Sequence, residues 1–311
     1  MQVVMTGATG FIGKELCKEL CKGYEVIALS RDTAKAKTLL GDLAEPVRWD
    51  GRTCEGWADF IDGAFGIINL AGENIASGRW SKVKKERILN SRLAASQAVL
   101  SAIRGAKKKP EVVVQASAVG YYGGRGDEML DEDSSGGEGF LSQVCRLSEG
   151  VAKEIQDVGV RCVIIRTGIV LGSQGGILQK LVPPFRFYLG GCYGDPKVWF
   201  SWISLKDEIS AIKFLLENSE TSGVFNLTSP EPVLLGRFHD TLGRVMVRPV
   251  WLKPPGFLLS LAMGEIAQGL LLTGQRVMPK RLLESSFEFV YSDLTSALAD
   301  ILSERKKNGL R

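Results

Sequence analysis

The stretch VVMTGATGFIGKEL near the N-terminus sets Gly7, Gly10 and Gly13 in G-x-x-G-x-x-G order, after a strand-like run and at the opening of a helix-like one. Small residues at this spacing permit a tight turn. They also let backbone N–H groups approach a pyrophosphate at a helix N-terminus. A glycine-rich turn without a ligand is the plainer alternative, but the strand–glycine–helix context favours a dinucleotide. Its identity depends on the end of the second strand, ALSRDTAK, where Ser30 and Arg31 come before Asp32. An arginine there forks onto a 2′-phosphate, whereas an acid accepts from a ribose 2′-hydroxyl. The order favours NADP(H) over NAD(H), with Arg31 paired to Asp32 on the surface as the competing arrangement.

Strand-like and helix-like segments then alternate. QVVMTG, YEVIALS, PVRW, GIINLAG, EVVVQAS and VRCVIIRTGIVLG read as strands, with helices between them, including a long one from about Ser81 to Arg104. This alternation predicts an α/β chain with a Rossmann-type doubly wound parallel sheet. After Gly172 prolines and short strands loosen the pattern. The expected division is a nucleotide-binding core over 1–175, with elements near 199–228 returning to it, and a smaller, interleaved C-terminal α/β lobe over 176–311. The apolar run FLLSLAMGEIAQGLLL at 257–272 is too short for a membrane span and reads as a buried amphipathic helix.

A net charge of +4 from 39 basic and 35 acidic residues implies neither nucleic-acid nor membrane partners, and suits an anionic small molecule. Oligomeric state is not legible. Cys17, Cys21, Cys54, Cys145, Cys162 and Cys192 form no Cys-x-x-Cys pair, and His239 is the single histidine, so no metal site is expected. Scattered cysteines and no evident signal peptide indicate the cytoplasm or another reducing compartment, with a removed organellar leader as an open alternative.

With TGATGFIG, NLAG at 69–72, SAVGYYG at 117–123 and RTGIVLG at 166–172, the chain resembles an extended short-chain dehydrogenase/reductase. LAGENIASGRW at 70–80, NSR at 90–92, WFSWISLKDEISAI at 199–212, NLTSPEPV at 226–233 and TGQRVMPKRLLESSFEFVY at 273–291 narrow the resemblance to the epimerase-like SDR39U group. The resemblance implies an NADP-binding core. Thr9, Gly10, Phe11 and Ile12 would offer backbone to the cofactor, with Ser30 and Arg31 following. Leu70 and Ala71 would line the adenosine side, Arg87 and Arg92 would approach ribose and phosphates, and Val170 would meet the nicotinamide carboxamide. Lys82, Lys84 and Lys85 on the same basic helix are assigned to a solvated face.

In that family a Tyr moves the proton, a Lys favours its phenolate, and a Ser or Thr orients the substrate oxygen. Aligning CRLSE with Tyr-x-x-Ser-Lys puts Cys145 and Glu149 at the Tyr and Lys positions. A carboxylate there raises, rather than lowers, the pKa of the thiol. The remaining catalytic candidates are Ser117, Tyr121 and Tyr122; at least one tyrosine is expected to be a packing residue. Asp127, Glu128, Asp131, Glu132 and Asp133 read as a solvated acidic loop, and His239 as structural. The first functional reading is an NADP(H)-dependent oxidoreductase or epimerase acting on a small molecule, such as a nucleotide-linked sugar. The alternative is a non-catalytic NADPH-binding sensor or scaffold linked, through the resemblance, to cell or plastid division.

Overall fold

The structure is a computed structural model that describes residues 1–78, 80–252 and 273–307. The segment read as a helix at 257–272 lies outside the described residues. Along the first part of the chain run β1 (Gln2–Thr6), α1 (Phe11–Leu20), β2 (Glu25–Ser30), α2 (Thr33–Leu40), β3 (Glu45–Arg48), β4 (Gly66–Asn69), α3 (Lys82–Gly105) and β5 (Val112–Ala118). Next come β6 (Met129–Leu130), α4 (Phe140–Asp157), β7 (Arg161–Thr167), β8 (Ile169–Leu171), α5 (Leu178–Arg186), β9 (Trp199–Phe200) and β10 (Trp202–Ser204). The chain continues with α6 (Leu205–Glu217), β11 (Gly223–Leu227), β12 (Val233–Leu234), α7 (Leu235–Met246), β13 (Arg276–Val277), α8 (Lys280–Glu284) and α9 (Leu294–Lys307).

Seven parallel strands form one sheet in the order β3-β2-β1-β4-β5-β7-β11. The fold is thus α/β and Rossmann-type. Its central strands are apolar on both sides, as sheet strands covered by helices on both faces must be: Val3 to Met5 and Val112 to Val114 are fully buried. One face packs on α1 and α6 through Leu16, Leu20, Ile212 and Leu215. The other packs on α3 and α4 through Ala95, Val99, Ile103 and Ile155. A third core, from α5, α7 and α9 with Phe200 and Trp202, supports the C-terminal lobe. The strand order reverses between β1 and β4, which opens a crevice at the carboxyl ends of the strands.

The single strand expected over VRCVIIRTGIVLG is divided at Gly168. The Ile169 N–H donates to Ser201 O at 2.8 Å, and β8 leaves the sheet to pair with β10. A Cβ on Gly168 would lie 2.6 Å from the Ser201 carbonyl oxygen, so the turn needs the missing side chain. Beyond it, β11 returns to the sheet edge beside β7.

A Cβ on Gly13 would stand 2.2 Å from Gly7 O and 2.8 Å from Ala8 Cα, both backbone atoms. Replacement by alanine must push α1 off β1, at an expected cost of about 1–3 kcal/mol. Gly23, with open space around it, serves as the control. Urea unfolding of Gly13→Ala and Gly23→Ala checks this; equal midpoints would mean that α1 does not depend on the close approach.

Candidate active site

The carboxyl ends of β1, β2, β4, β5 and β7 carry almost every residue singled out by the sequence. Gly7 has φ +70°, and a Cβ there would be 2.8 Å from the Leu70 carbonyl. Gly10 caps α1 without a side-chain hydrogen bond, and no acid stands in the first turn. The first amides of a helix have no intrahelical acceptor, so this end is electropositive. Thr9, Gly10 and Phe11 line a cleft of about 1080 Å³ that continues along the outer face of α1 and is also lined by residues 171–176. Ile12 is only partly buried and packs on the core below.

At the end of β2, the Ser30 hydroxyl donates to Asp32 O at 3.0 Å and accepts from the Asp32 N–H at 3.2 Å. The Asp32 carboxylate is turned to the start of α2, where it accepts from the Lys35 N–H at 2.9 Å. Arg31 is exposed, and its carbonyl accepts from the Arg48 guanidinium. Its aliphatic stem runs beside Gly51. Across the crevice, the Ala71 N–H donates to Thr6 Oγ1 at 3.0 Å, Thr6 Oγ1 donates to Asn69 Oδ1 at 2.6 Å, and Asn69 Nδ2 donates to Gln115 Oε1 at 2.8 Å. These bonds hold Leu70 and Ala71 against the glycine turn. Val170 lies in β8, opposite Ile203 of β10.

Glu73 gathers the cations. Lys84 donates to it at 2.6 Å, and that hydrogen bond, reinforced by the fields of Lys84, Arg87 and Arg31, lowers its carboxyl pKa. Lys84 also reaches Ser77 at 2.9 Å and is buried, which corrects its assignment to a solvated face: its ammonium has neutralising and hydrogen-bonding partners inside. The Arg92 guanidinium is packed under Gly72 and donates to the carbonyls of Glu73 and Ile88 at 3.2 and 3.0 Å. Burial lowers its pKa, while Cys145 and Glu73 act in the opposite sense.

The three candidates for proton chemistry also meet, around Arg166, a residue assigned no role from its motif. Arg166, from β7, donates through Nε and Nη2 to the two Glu149 oxygens at 2.9 and 2.8 Å. Ser117 Oγ donates to the same carboxylate at 2.6 Å. Arg166 Nη1 reaches the Tyr122 hydroxyl at 3.0 Å, and that hydroxyl donates to Asn226 Oδ1 at 2.7 Å. Tyr122 is fully buried, and burial pushes its phenol up to about 12. Its hydroxyl is a core strut at working pH. Tyr121 is partly exposed and lays its ring over the same guanidinium, 3.4 Å from Arg166 Cζ. Cys145 is buried against Ala118 O, its thiol pKa raised first by burial and further by Glu149.

One carboxyl departs from the sequence reading, and a second had no reading at all. Glu132, placed in a solvated loop, is buried and accepts from the Asn226 N–H at 2.9 Å, because the returning strand β11 covers it. Glu208, at the start of α6, is completely buried; one oxygen accepts from Thr167 Oγ1 at 2.8 Å and the other has no partner among the described residues. His239 is buried in the lobe between Phe185, Phe238 and Tyr193, with Nδ1 at 2.9 Å from Leu235 O. Among the described residues no cluster of three or more His, Cys, Asp or Glu could hold a metal, and no helix is long and apolar enough to cross a membrane. The missed Arg166 did lie in a quoted motif, RTGIVLG, but its partner Glu149 stands on a different element.

Residues 3–228 match the family described as NAD dependent epimerase/dehydratase, and residues 254–301 match a domain of unknown function, DUF1731. Epimerase family protein YfhF of Bacillus subtilis is 39% identical, covering 98% of this chain and 99% of that protein. The chloroplastic SDR39U1 homolog of Arabidopsis thaliana is 38% identical over 97% of this chain and 87% of its own length. Among solved structures, human epimerase family protein SDR39U1 with NADPH superposes with a TM-score of 0.85 at 30% identity, covering 97% of this chain and 99% of that one.

Removing Glu149 leaves a buried guanidinium without its countercharge. Glu149→Ala is expected to cost about 3–5 kcal/mol, and adding Arg166→Met to recover much of it; denaturant unfolding of the single and double variants reads both. If the double variant is as unstable as the single one, the pair is not what holds this region. Burial lifts Glu208 from the ordinary 4.5 to about 8. Its folded pKa therefore lies above its unfolded value, and its stabilising contribution, complete below about 4.5, is lost as pH rises through about 8. Relative to wild type, Glu208→Gln is expected to gain stability steadily between these values; parallel melting curves across that range would contradict the assignment.

Proposed function

We propose, from the premise that this chain belongs to the NAD dependent epimerase/dehydratase family, that it binds NADP(H) in the crevice and exchanges hydride with a small molecule in the manner of an atypical short-chain dehydrogenase/reductase. The observation that carries the proposal is the uncapped, acid-free start of α1, directly after the tight glycine turn at Gly7. The donor set fits a dinucleotide. Backbone from Thr9 to Ile12 would take the pyrophosphate, Leu70 and Ala71 the adenosine side, and Val170 the carboxamide. Arg87 and Arg92 would add positive charge along the phosphates and ribose. Solved human SDR39U1 carries NADPH. Preference for NADP(H) rests on Arg31 being exposed while Asp32, the group that would read a 2′-hydroxyl, is engaged in capping α2.

The bound nicotinamide supplies the hydride chemistry. The chain's own residues orient the substrate and hold its proton. Ser117 already donates to Glu149, Cys145 is buried, and Tyr122 is locked between Arg166 and Asn226. Tyr121 is left as the partly exposed hydroxyl that none of these bonds engages, steadied by its face-on contact with Arg166. A nucleotide-linked sugar is the substrate class implied. The second reading, an NADPH-occupied sensor or scaffold without turnover, is favoured by one observation: Ser117, Glu149 and Arg166 satisfy one another and leave no side chain to serve as the family's lysine.

The test is mass spectrometry of small molecules released from freshly purified protein, followed by titration with NADPH and NADH. NADP(H) is expected in the released fraction, and Arg31→Ala is expected to weaken NADPH by at least about tenfold with NADH unaffected. Tyr121→Phe is expected to keep binding and lose turnover of any sugar nucleotide that the wild type converts. Binding of NADPH without turnover of any candidate moves the conclusion to the sensor; release of NAD, or no binding of either cofactor, refutes the NADP(H) assignment.

A further inference from the structure

The loop over residues 171–176, which lines the cleft beside Phe11, is clamped from both sides. On its inner side the ring of Phe11, the first residue of α1, lies among Gly172, Gly175 and Gly176. A Cβ on Gly175 would be 2.1 Å from Phe11 Cδ2, one on Gly172 would be 2.7 Å from Cζ, and one on Gly176 would be 3.2 Å from Cε1. Leu171 and Gly176 form an antiparallel bridge that closes the loop on itself. On its outer side, Arg305 near the end of α9 donates through Nη1 to Ser173 O at 2.9 Å. Arg305 is only 8% exposed; burial lowers its pKa, and the neighbouring Arg186 lowers it further. Among the described residues its Nε has no partner. A cation held at this cost, whose hydrogen bond among the described residues goes to a loop carbonyl, argues that the position of that loop matters.

We infer that residues 171–176 are a strap that holds the glycine loop in its cofactor-binding geometry, and that Arg305 is the positioning residue that fastens it. The chain of contacts is continuous: α9 is anchored in the lobe core through Leu298, Ile301 and Leu302, Arg305 fixes Ser173, and the glycines beside Ser173 cradle Phe11. Phe11 adjoins Gly10 at the start of α1, so any drift of the strap releases the backbone donors meant for the pyrophosphate. The lobe and the cofactor site are thereby linked, with no contact between Arg305 and the cofactor itself. This rests on the NADP(H) reading above.

The test uses the full chain and two probes in parallel titrations. NADPH, followed by its own fluorescence, engages both ends of the site. Adenosine 2′-monophosphate engages the Arg31 end but has no 5′-phosphate to offer the glycine loop. Arg305→Met and Gly175→Ala act on the strap from opposite sides, and each is expected to weaken NADPH about tenfold while leaving the monophosphate unchanged. Arg305→Lys, which can still donate to Ser173 O, is expected to recover most of the NADPH affinity. Equal weakening of both probes marks general destabilisation and overturns the strap, as does unchanged NADPH binding in either variant. If Arg305→Met fails to fold, Gly175→Ala decides alone. A wild-type protein that binds neither probe removes the cofactor reading itself, and the strap with it.

Discussion

Most of the hydrogen bonds that join Ser117, Glu149 and Tyr122 radiate from the guanidinium of Arg166. It takes both oxygens of Glu149 from α4, supports the hydroxyl of Tyr122, and underlies the ring of Tyr121. Through Glu149 it fixes Ser117 at the end of β5, and through Tyr122 it reaches Asn226 on β11. Stripping water from both charges is expensive, and the cost is offset only because the fork is bidentate and the leftover positions are filled by Ser117 and Tyr122. The consequence is chemical as well as structural. In the family pattern this place belongs to a free ammonium; here it holds a neutral pair, which cannot bias a phenol toward phenolate as a lone cation does.

The opposite end of the crevice is organised by a different balance. Glu73 is the acid around which Lys84, Arg87 and Arg31 exert their fields, with Arg92 bonded to its carbonyl. One carboxylate among several cations leaves a surplus of positive charge beside the uncapped helix start. Such a surplus attracts an anion without requiring any cation to be buried alone.

The smaller lobe is tied into this arrangement by capture of loop backbone. Asp207 accepts from the N–H groups of Val290 and Tyr291 at 2.6 and 3.2 Å, and Ser201 bridges Gln275 O and the Val277 N–H. Asn226 sends its side-chain amide to Met278 O at 3.0 Å. The polar groups that replace a simple apolar seam thus come from the first turn of α6, the residue between β9 and β10, and β11.

Much of the fold was legible because its causes are local. The glycine spacing before α1, the alternation of apolar strands with amphipathic helices, and the Ser30–Arg31–Asp32 order each depend on residues close in sequence, whose periods and steric demands are fixed by the backbone. The loss of the tyrosine and lysine at Cys145 and Glu149 was readable for the same reason. The burial of Lys84, the break at Gly168, the commitment of Tyr122 to Asn226 across 104 residues and of Arg305 to Ser173 across 132 were not. Each depends on which distant group arrives opposite, and a charged or hydroxyl side chain reads alike in sequence whether water or a partner will satisfy it. The chain alone determined that a dinucleotide-type core forms and that its usual proton pair is gone. Packing decided what took that pair's place, because only the assembled interior sets the desolvation cost that makes Arg166 and Glu149 need each other.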